Sequence, residues 1–175
     1  MPSQPDGLDR YADIHAAFRW SVPADFNIAQ ACCARWARDT PDAVAIREAH
    51  EDGASTAHTY AELQRDANRL SNALKRLGVG AGDRVAIVMP QRIETAVAHI
   101  ALYQLGAVGM PLSMLFGPEA LEYRINDSGA RVAIVDESSI ANLRAVRSKC
   151  AEMGIVMGAA AARLVRRSRR RNEGT

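Results

Sequence analysis

The sequence predicts an α/β protein built on a doubly wound, largely parallel sheet with flanking helices. Three observations carry that expectation. Two near-identical apolar runs, "RVAIVM" at 84–89 and "RVAIVD" at 131–136, are short and rich in β-branched residues, the pattern of strands covered on both faces. Segments with helical spacing of apolar residues stand between and after them, and glycine or proline punctuates the joins. Strands that alternate with crossover helices lie parallel, with right-handed connections.

Taken in order, residues 1–26 read as a lead-in with little periodicity. "NIAQACCARWARD" (27–39) reads as a helix, with Asn27 as its N-cap, Ile28, Ala31, Cys32, Arg35 and Trp36 on one stripe, and Pro41 beyond its end. Two β-like runs around Asp52-Gly53 form a hairpin signal. "TYAEL" then opens the clearest helix. Thr59 and Glu62 have the spacing of a capping box, Leu63, Ala67, Leu70, Leu74 and Leu77 make one apolar stripe, and Gly78 sits where a C-terminal cap belongs.

After the turn "GVGAGD" comes the strand "RVAIVM", ended by Pro90. A helix follows through Ile93, Val97, Ile100, Ala101 and Leu105, with Gly106 as its stop. "AVGMPL" is expected as a second buried strand. "GPEALEYRIND" is expected as a helix with Pro118 in its first turn and Ala120, Leu121 and Ile125 facing inward. The strand "RVAIVD" and a helix opening at a serine pair, "SSIANLRAVRSKC", complete the repeat. Beyond Cys150 one strand candidate, Gly154 to Met157, precedes an Ala/Arg-rich run. The expected organisation is therefore a lead-in (1–26), a partial domain (27–150) and an irregular tail (151–175).

Composition bounds what such a chain can do. At 175 residues, 48% hydrophobic and 24% charged, it has the balance of one soluble globular domain. Residues 1–150 carry 16 basic against 18 acidic residues, whereas 151–175 carry six arginines against two glutamates. The body therefore has no electrostatic footprint for nucleic acid. The acidic N-terminus does not resemble an export signal, and the longest apolar stretch, Ala96 to Met114, is interrupted by His99, Gln104, glycines, a proline and Ser113, which is wrong for a bilayer span. Cys32, Cys33 and Cys150 have neither zinc nor disulfide-framework spacing. A reduced, cytoplasmic protein without a membrane partner is expected.

Few residues suggest chemistry by themselves. "GVGAGD" follows a helix and precedes a strand, the reverse of a phosphate-binding glycine loop, so it reads as a turn. His15, His50, His58 and His99 show no metal or triad spacing, and His99, on an otherwise apolar helix, reads as a satisfied packing histidine. Cys32 and Cys33 read as buried helix residues.

The run from His58 to Asp136 resembles the N-terminal part of AMP-forming acyl-CoA synthetases, the adenylate-forming enzymes that include acetyl-CoA and medium-chain acyl-CoA synthetases. Two of their early core motifs are matched, "TYAEL" at Thr59–Leu63 and "YQLGAVGMPLS" at Tyr103–Ser113. "FNIAQACCARWARDTPDAVAI" before them and "LFGPEALEYRINDSGARV" after them also look like this group. The resemblance implies an incomplete sheet, the first subdomain of such an enzyme. It further implies an acid–thiol ligase reaction in the whole protein, in which a carboxylate, ATP and coenzyme A give acyl-CoA, AMP and pyrophosphate with magnesium assisting.

The motifs matched here are mainly structural in that family, and no catalytic or metal-binding residue carries over. The family's Thr/Ser/Gly-rich phosphate loop ending in Pro-Lys has no counterpart, and the lysines are only Lys75 and Lys149. One pair carries over as expected coenzyme A contacts, Phe116 and Gly117 of "LFGP". The chain is thus expected to be an inactive first portion of a ligase of fatty-acid type metabolism, acting on small molecules only when complete. Two alternatives stay open: a non-catalytic module using the basic tail on nucleic acid or an acidic partner, and a half that rejoins a separate C-terminal portion. Arginine outnumbers lysine 20 to 2, and the Ala/Arg-rich tail reads as an out-of-frame translation of GC-rich DNA.

Overall fold

The structure, a computed structural model, describes residues 10–158. Four parallel strands, β3 (Arg84–Val88), β4 (Val108–Pro111), β5 (Val132–Val135) and β6 (Ile155–Gly158), lie side by side in the order β4-β3-β5-β6. The repeated "RVAIV" pattern explains the layering. Val85 and Ile87 of β3, with Val132 and Ile134 of β5, enter a first core, while Ala86, Val88, Ala133 and Val135 enter a second on the opposite face. Successive strand residues point to opposite faces, so a run apolar at every position must be covered twice. Helices α3 (Tyr60–Arg76) and α4 (Ile93–Gln104) cover the first face, and α5 (Pro118–Ser128) and α6 (Ile140–Val146) the second.

Local chemistry fixes the ends of these helices. At the start of α3, the Glu62 amide donates to Thr59 Oγ1 at 3.2 Å and the Thr59 amide donates to Glu62 Oε2 at 3.0 Å, the expected reciprocal box. At its far end the Val79 amide donates to the Leu74 carbonyl and the Gly78 amide to that of Lys75, a Schellman closure with Gly78 at φ +83°. Gly129, at φ +61°, ends α5 in the same left-handed region. A Cβ there would lie 2.7 Å from Arg84 Nη2, because that guanidinium donates to the Ser128 and Gly129 carbonyls at 2.8 and 2.9 Å. Arg84 thus ties the first residue of β3 to the negative end of α5.

Ahead of the sheet, an antiparallel hairpin of β1 (Val44–Ala49) and β2 (Ser55–Thr59) turns where Asp52 Oδ1 accepts from the Ala54 amide. Helix α1 (Tyr11–Ala17) lies in the lead-in, where little periodicity was seen, and buries no residue. The following helix departs further from expectation. A π-helical turn over Gln30–Ala34 leads into α2 (Arg35–Asp39), so the buried residues are Ala29 and Cys33, while Ile28, Cys32 and Trp36 of the expected stripe are exposed. Asn27 does cap it, its Oδ1 accepting from the Gln30 amide. Small residues at the contact allow close approach, whereas a 3.6-residue period cannot anticipate a five-residue π turn.

Three further expectations change. Leu77 is 44% exposed although it continues the α3 stripe, because it is the cap residue and the chain turns away there. Strand β4, expected to be buried, is an edge, with Val108 half exposed. The amides of Val108 and Leu112 donate inward to Asp83 and Ile87, so by alternation Gly109 and Pro111 face outward, and Pro111 has no N–H to offer. Finally, the strand candidate at Gly154 to Met157 forms as β6, paired in register with β5, so it joins the sheet although it lies in the tail that was expected to be irregular from residue 151. The body therefore runs past Cys150 to at least Gly158. The rest of that tail, including the arginine run, lies outside the described residues. Among the described residues no helix is long and apolar enough to cross a membrane.

Candidate functional site

In an open α/β sheet, ligands enter at the carboxyl ends of the strands, where the strand order reverses and successive loops diverge. Here that point falls between β3 and β5: the chain leaves β3 toward α4 on one face and leaves β5 toward α6 on the other. The crevice is closed by an ion pair. Arg92, four residues past β3, donates through Nη1 to Asp136 Oδ2, one residue past β5, and its Nε lies 3.4 Å from Glu94. Asp136 is buried and held on both oxygens, since its Oδ1 accepts from the Ser138 amide at 3.0 Å and the Ser138 hydroxyl at 2.6 Å while Oδ2 accepts from Arg92. Those donors first, and the Arg92 charge after them, hold the Asp136 carboxyl below the usual carboxylate range. Ser139 bolts the two loops together, donating to the Val88 carbonyl at 2.7 Å while accepting from the Asp136 amide.

Beside this lock, on the first face, a cleft of about 790 Å³ opens between β1, the first half of α4 and residues 111–115. Its wall is largely apolar, with Arg47, Glu48, Gln91, Arg92, Thr95, His99 and Ser113 as the polar points. Most of these are engaged. Glu48 sits 3.2 Å from His58 Nε2, and Thr95 donates to the Pro90 carbonyl at 2.6 Å. His99 Nδ1 lies 3.3 Å from the Tyr103 hydroxyl, and burial pushes the His99 pKa down, as befits the packing histidine expected. Arg47 is exposed at the rim. A cleft of this kind can bind, but it pairs no nucleophile with a base, and among the described residues no group of three side chains could hold a metal ion.

The two residues expected to contact coenzyme A lie elsewhere. Phe116 packs against the second core, with the Arg124 guanidinium 4.1 Å above its ring, and neither it nor Gly117 lines the cleft. Gly117 is the exposed N-cap of α5, with nothing within 4 Å of an added Cβ. Cys33 is buried in the first core, which pushes its thiol up to about 11 and leaves it unreactive. Sequence reasoning missed the Arg92–Asp136 pair, although a partial signal existed: Asp136 directly follows one "RVAIV" strand and Arg92 lies four residues past the other.

Comparison with known proteins gives this arrangement a lineage. A family model described as AMP-binding enzyme matches residues 33–172. Acetyl-coenzyme A synthetase of Salmonella typhi is 34% identical over 140 residues, 79% of this chain and 22% of its own, and that of Streptomyces coelicolor is 41% identical over 117 residues, 66% and 18%. The chain thus spans about a fifth of the curated relatives it matches. Among solved structures, a fatty acyl CoA synthetase of Mycobacterium tuberculosis superposes with TM-score 0.69 at 27% identity, covering 79% of this chain and 28% of the other. The N-terminal domain of FACL13 from the same organism, solved with an inhibitor, gives TM-score 0.70 at 27% identity over 81% and 35%.

Proposed function

Because the chain belongs to the AMP-binding enzyme family, we propose that it forms the first subdomain of an acyl-CoA synthetase-type ligase and that these 175 residues do not run the ligase reaction unaided. The observation that carries this reading is the state of the switch-point crevice. Its cation, Arg92, is spent on Asp136 and Glu94, and Asp136 in turn accepts from Ser138 at Oδ1 and from Arg92 at Oδ2. ATP and magnesium need free amides, hydroxyls and carboxylates around a triphosphate; the described residues supply no cluster of three side chains for the metal, and this cleft leaves only the exposed Arg47 and Gln91 uncommitted, a lining that does not fit them. No step of the reaction is assigned to its side chains. They build a rigid wall, which the proposal has completed by residues beyond this chain.

The purified chain, given ATP, magnesium, coenzyme A and a panel of carboxylates from acetate to medium-chain acids, is expected to release no AMP above background. Sustained AMP release by homogeneous protein would reject the proposal. The coenzyme A contact of Phe116 and Gly117 belongs to the same reading at the level of the whole protein. There, Phe116→Ala is expected to weaken coenzyme A binding about tenfold, and an unchanged affinity by calorimetry removes the assignment.

A further inference from the structure

At the far end of α4 from the cleft, and sharing no residue with it, lies a second concavity of about 480 Å³. It is lined by Asn27 and Gln30 ahead of α2, by Asn68, Ser71 and Asn72 on α3, and by Gln104 at the end of α4. All six are uncharged and polar. Its walls are held in place by their own hydrogen bonds. Asn68 Oδ1 accepts from Gln64 Nε2 at 2.7 Å and from Gln104 Nε2 at 2.8 Å, and Asn27 donates through Nδ2 to the Tyr103 carbonyl at 2.8 Å.

One atom in this frame is buried without a partner among the described residues, the acceptor Gln104 Oε1. Ser71, 8% exposed on the buried side of α3, lines the same concavity. A buried polar atom left unsatisfied costs free energy, so Gln104 Oε1 calls for a donor from outside. The group must be able to donate to a carbonyl oxygen and exchange hydrogen bonds with a hydroxyl and amide NH₂ groups nearby, which an alcohol does. Ionic ligands have nothing to gain, since no ionisable side chain lines the concavity.

We propose that this concavity is a binding site for a neutral, multiply hydroxylated small molecule, a monosaccharide or polyol, held between Ser71, Asn72, Gln30 and Gln104. Water is the competitor for such a site, and a ligand displaces ordered water without loss only if it reproduces the hydrogen bonds that the water made. Adjacent hydroxyls on a carbon frame do so, and the preformed amide wall reduces the ordering cost of binding. A π-helical turn, a feature frequent at functional sites, begins at Gln30 on its rim.

The test is a titration of the isotope-labelled chain with glucose and with glycerol, followed by amide shifts, with inorganic phosphate as the charged control. Shifts centred on residues 27–30, 68–72 and 104 are expected with at least one polyol, saturating at a dissociation constant of roughly 1–10 mM, and no such set with phosphate. Ser71→Leu, which fills the concavity, is expected to weaken binding at least tenfold. Asn72→Ala, at an exposed position that does not support the fold, is expected to weaken it severalfold and keeps the test decisive if Ser71→Leu does not fold. The proposal fails if neither polyol gives saturable shifts, if phosphate gives the same set, or if Asn72→Ala binds as the parent does.

Discussion

Replacing Leu74 by alanine should lower the unfolding free energy by about 3 kcal/mol, the cost of a cavity in a core that cannot fully collapse. Leu74 is fully buried in α3, in the first core that α3 and α4 share with Val85 and Ile87 of the sheet. Against a total of about 5–15 kcal/mol for an ordinary domain, a loss of that size reduces the folded-to-unfolded ratio roughly a hundredfold. Urea unfolding followed by circular dichroism measures it, and the informative comparison is Leu77→Ala one turn on. Leu77 is 44% exposed, so its truncation should cost under about 0.5 kcal/mol. Equal losses from the two variants would show that the α3 stripe packs as one surface and that the turn-away at Leu77 is wrong.

The second large effect is expected at the lock between the strand ends. Asp136→Ala removes the acceptor of two Ser138 donors and leaves Arg92 with Glu94 alone. Breaking a fully buried pair costs about 3–5 kcal/mol. Arg92 keeps 30% of its side-chain surface in water, so screening reduces the expected loss to about 2 kcal/mol. The same carboxylate gives a pH signature. Its pKa is depressed in the folded state, so the stability it contributes is present above the unfolded value of about 4 and is lost as pH falls through the folded value. Asp83 and Asp39 are depressed too and shift stability in the same direction. The diagnostic is therefore the difference between the parent and Asp136→Asn. That difference should be constant from pH 7 to about 5 and shrink toward pH 3; a gap that does not shrink would mean that the carboxylate's charge contributes nothing.

How much of this could be read in advance depends on the range of the interaction. The Thr59–Glu62 box, the Gly78 closure and the two-faced strands at 84–88 and 132–135 are decided by residues within a few positions of one another, and all were legible. The phase of the helix before Thr40 was not, because the π turn inserts a residue into the period and moves the contact onto Ala29 and Cys33. Nor was the edge position of β4: an apolar strand has the same local pattern wherever it stands, and its neighbours are set by topology. The lock escaped notice because Arg92 and Asp136 are 44 residues apart and meet only when two parallel strands align. For β6, the strand candidate at Gly154 to Met157 was legible, but its place beside β5 was not, because a parallel partner is set by topology.

Proline at the outer face of β4 gives the sheet a direction. One margin offers a single strand amide, that of Gly109, while the other, at β6, carries no proline. Any further strand, whether from this polypeptide or another, therefore has one place to add, and it is the side on which the chain itself was last laid down. Among the described residues, a sheet begun at β3, turned once to β4 and then extended through β5 to β6 grows in the order in which a ribosome releases it, with no strand threaded between two already in place.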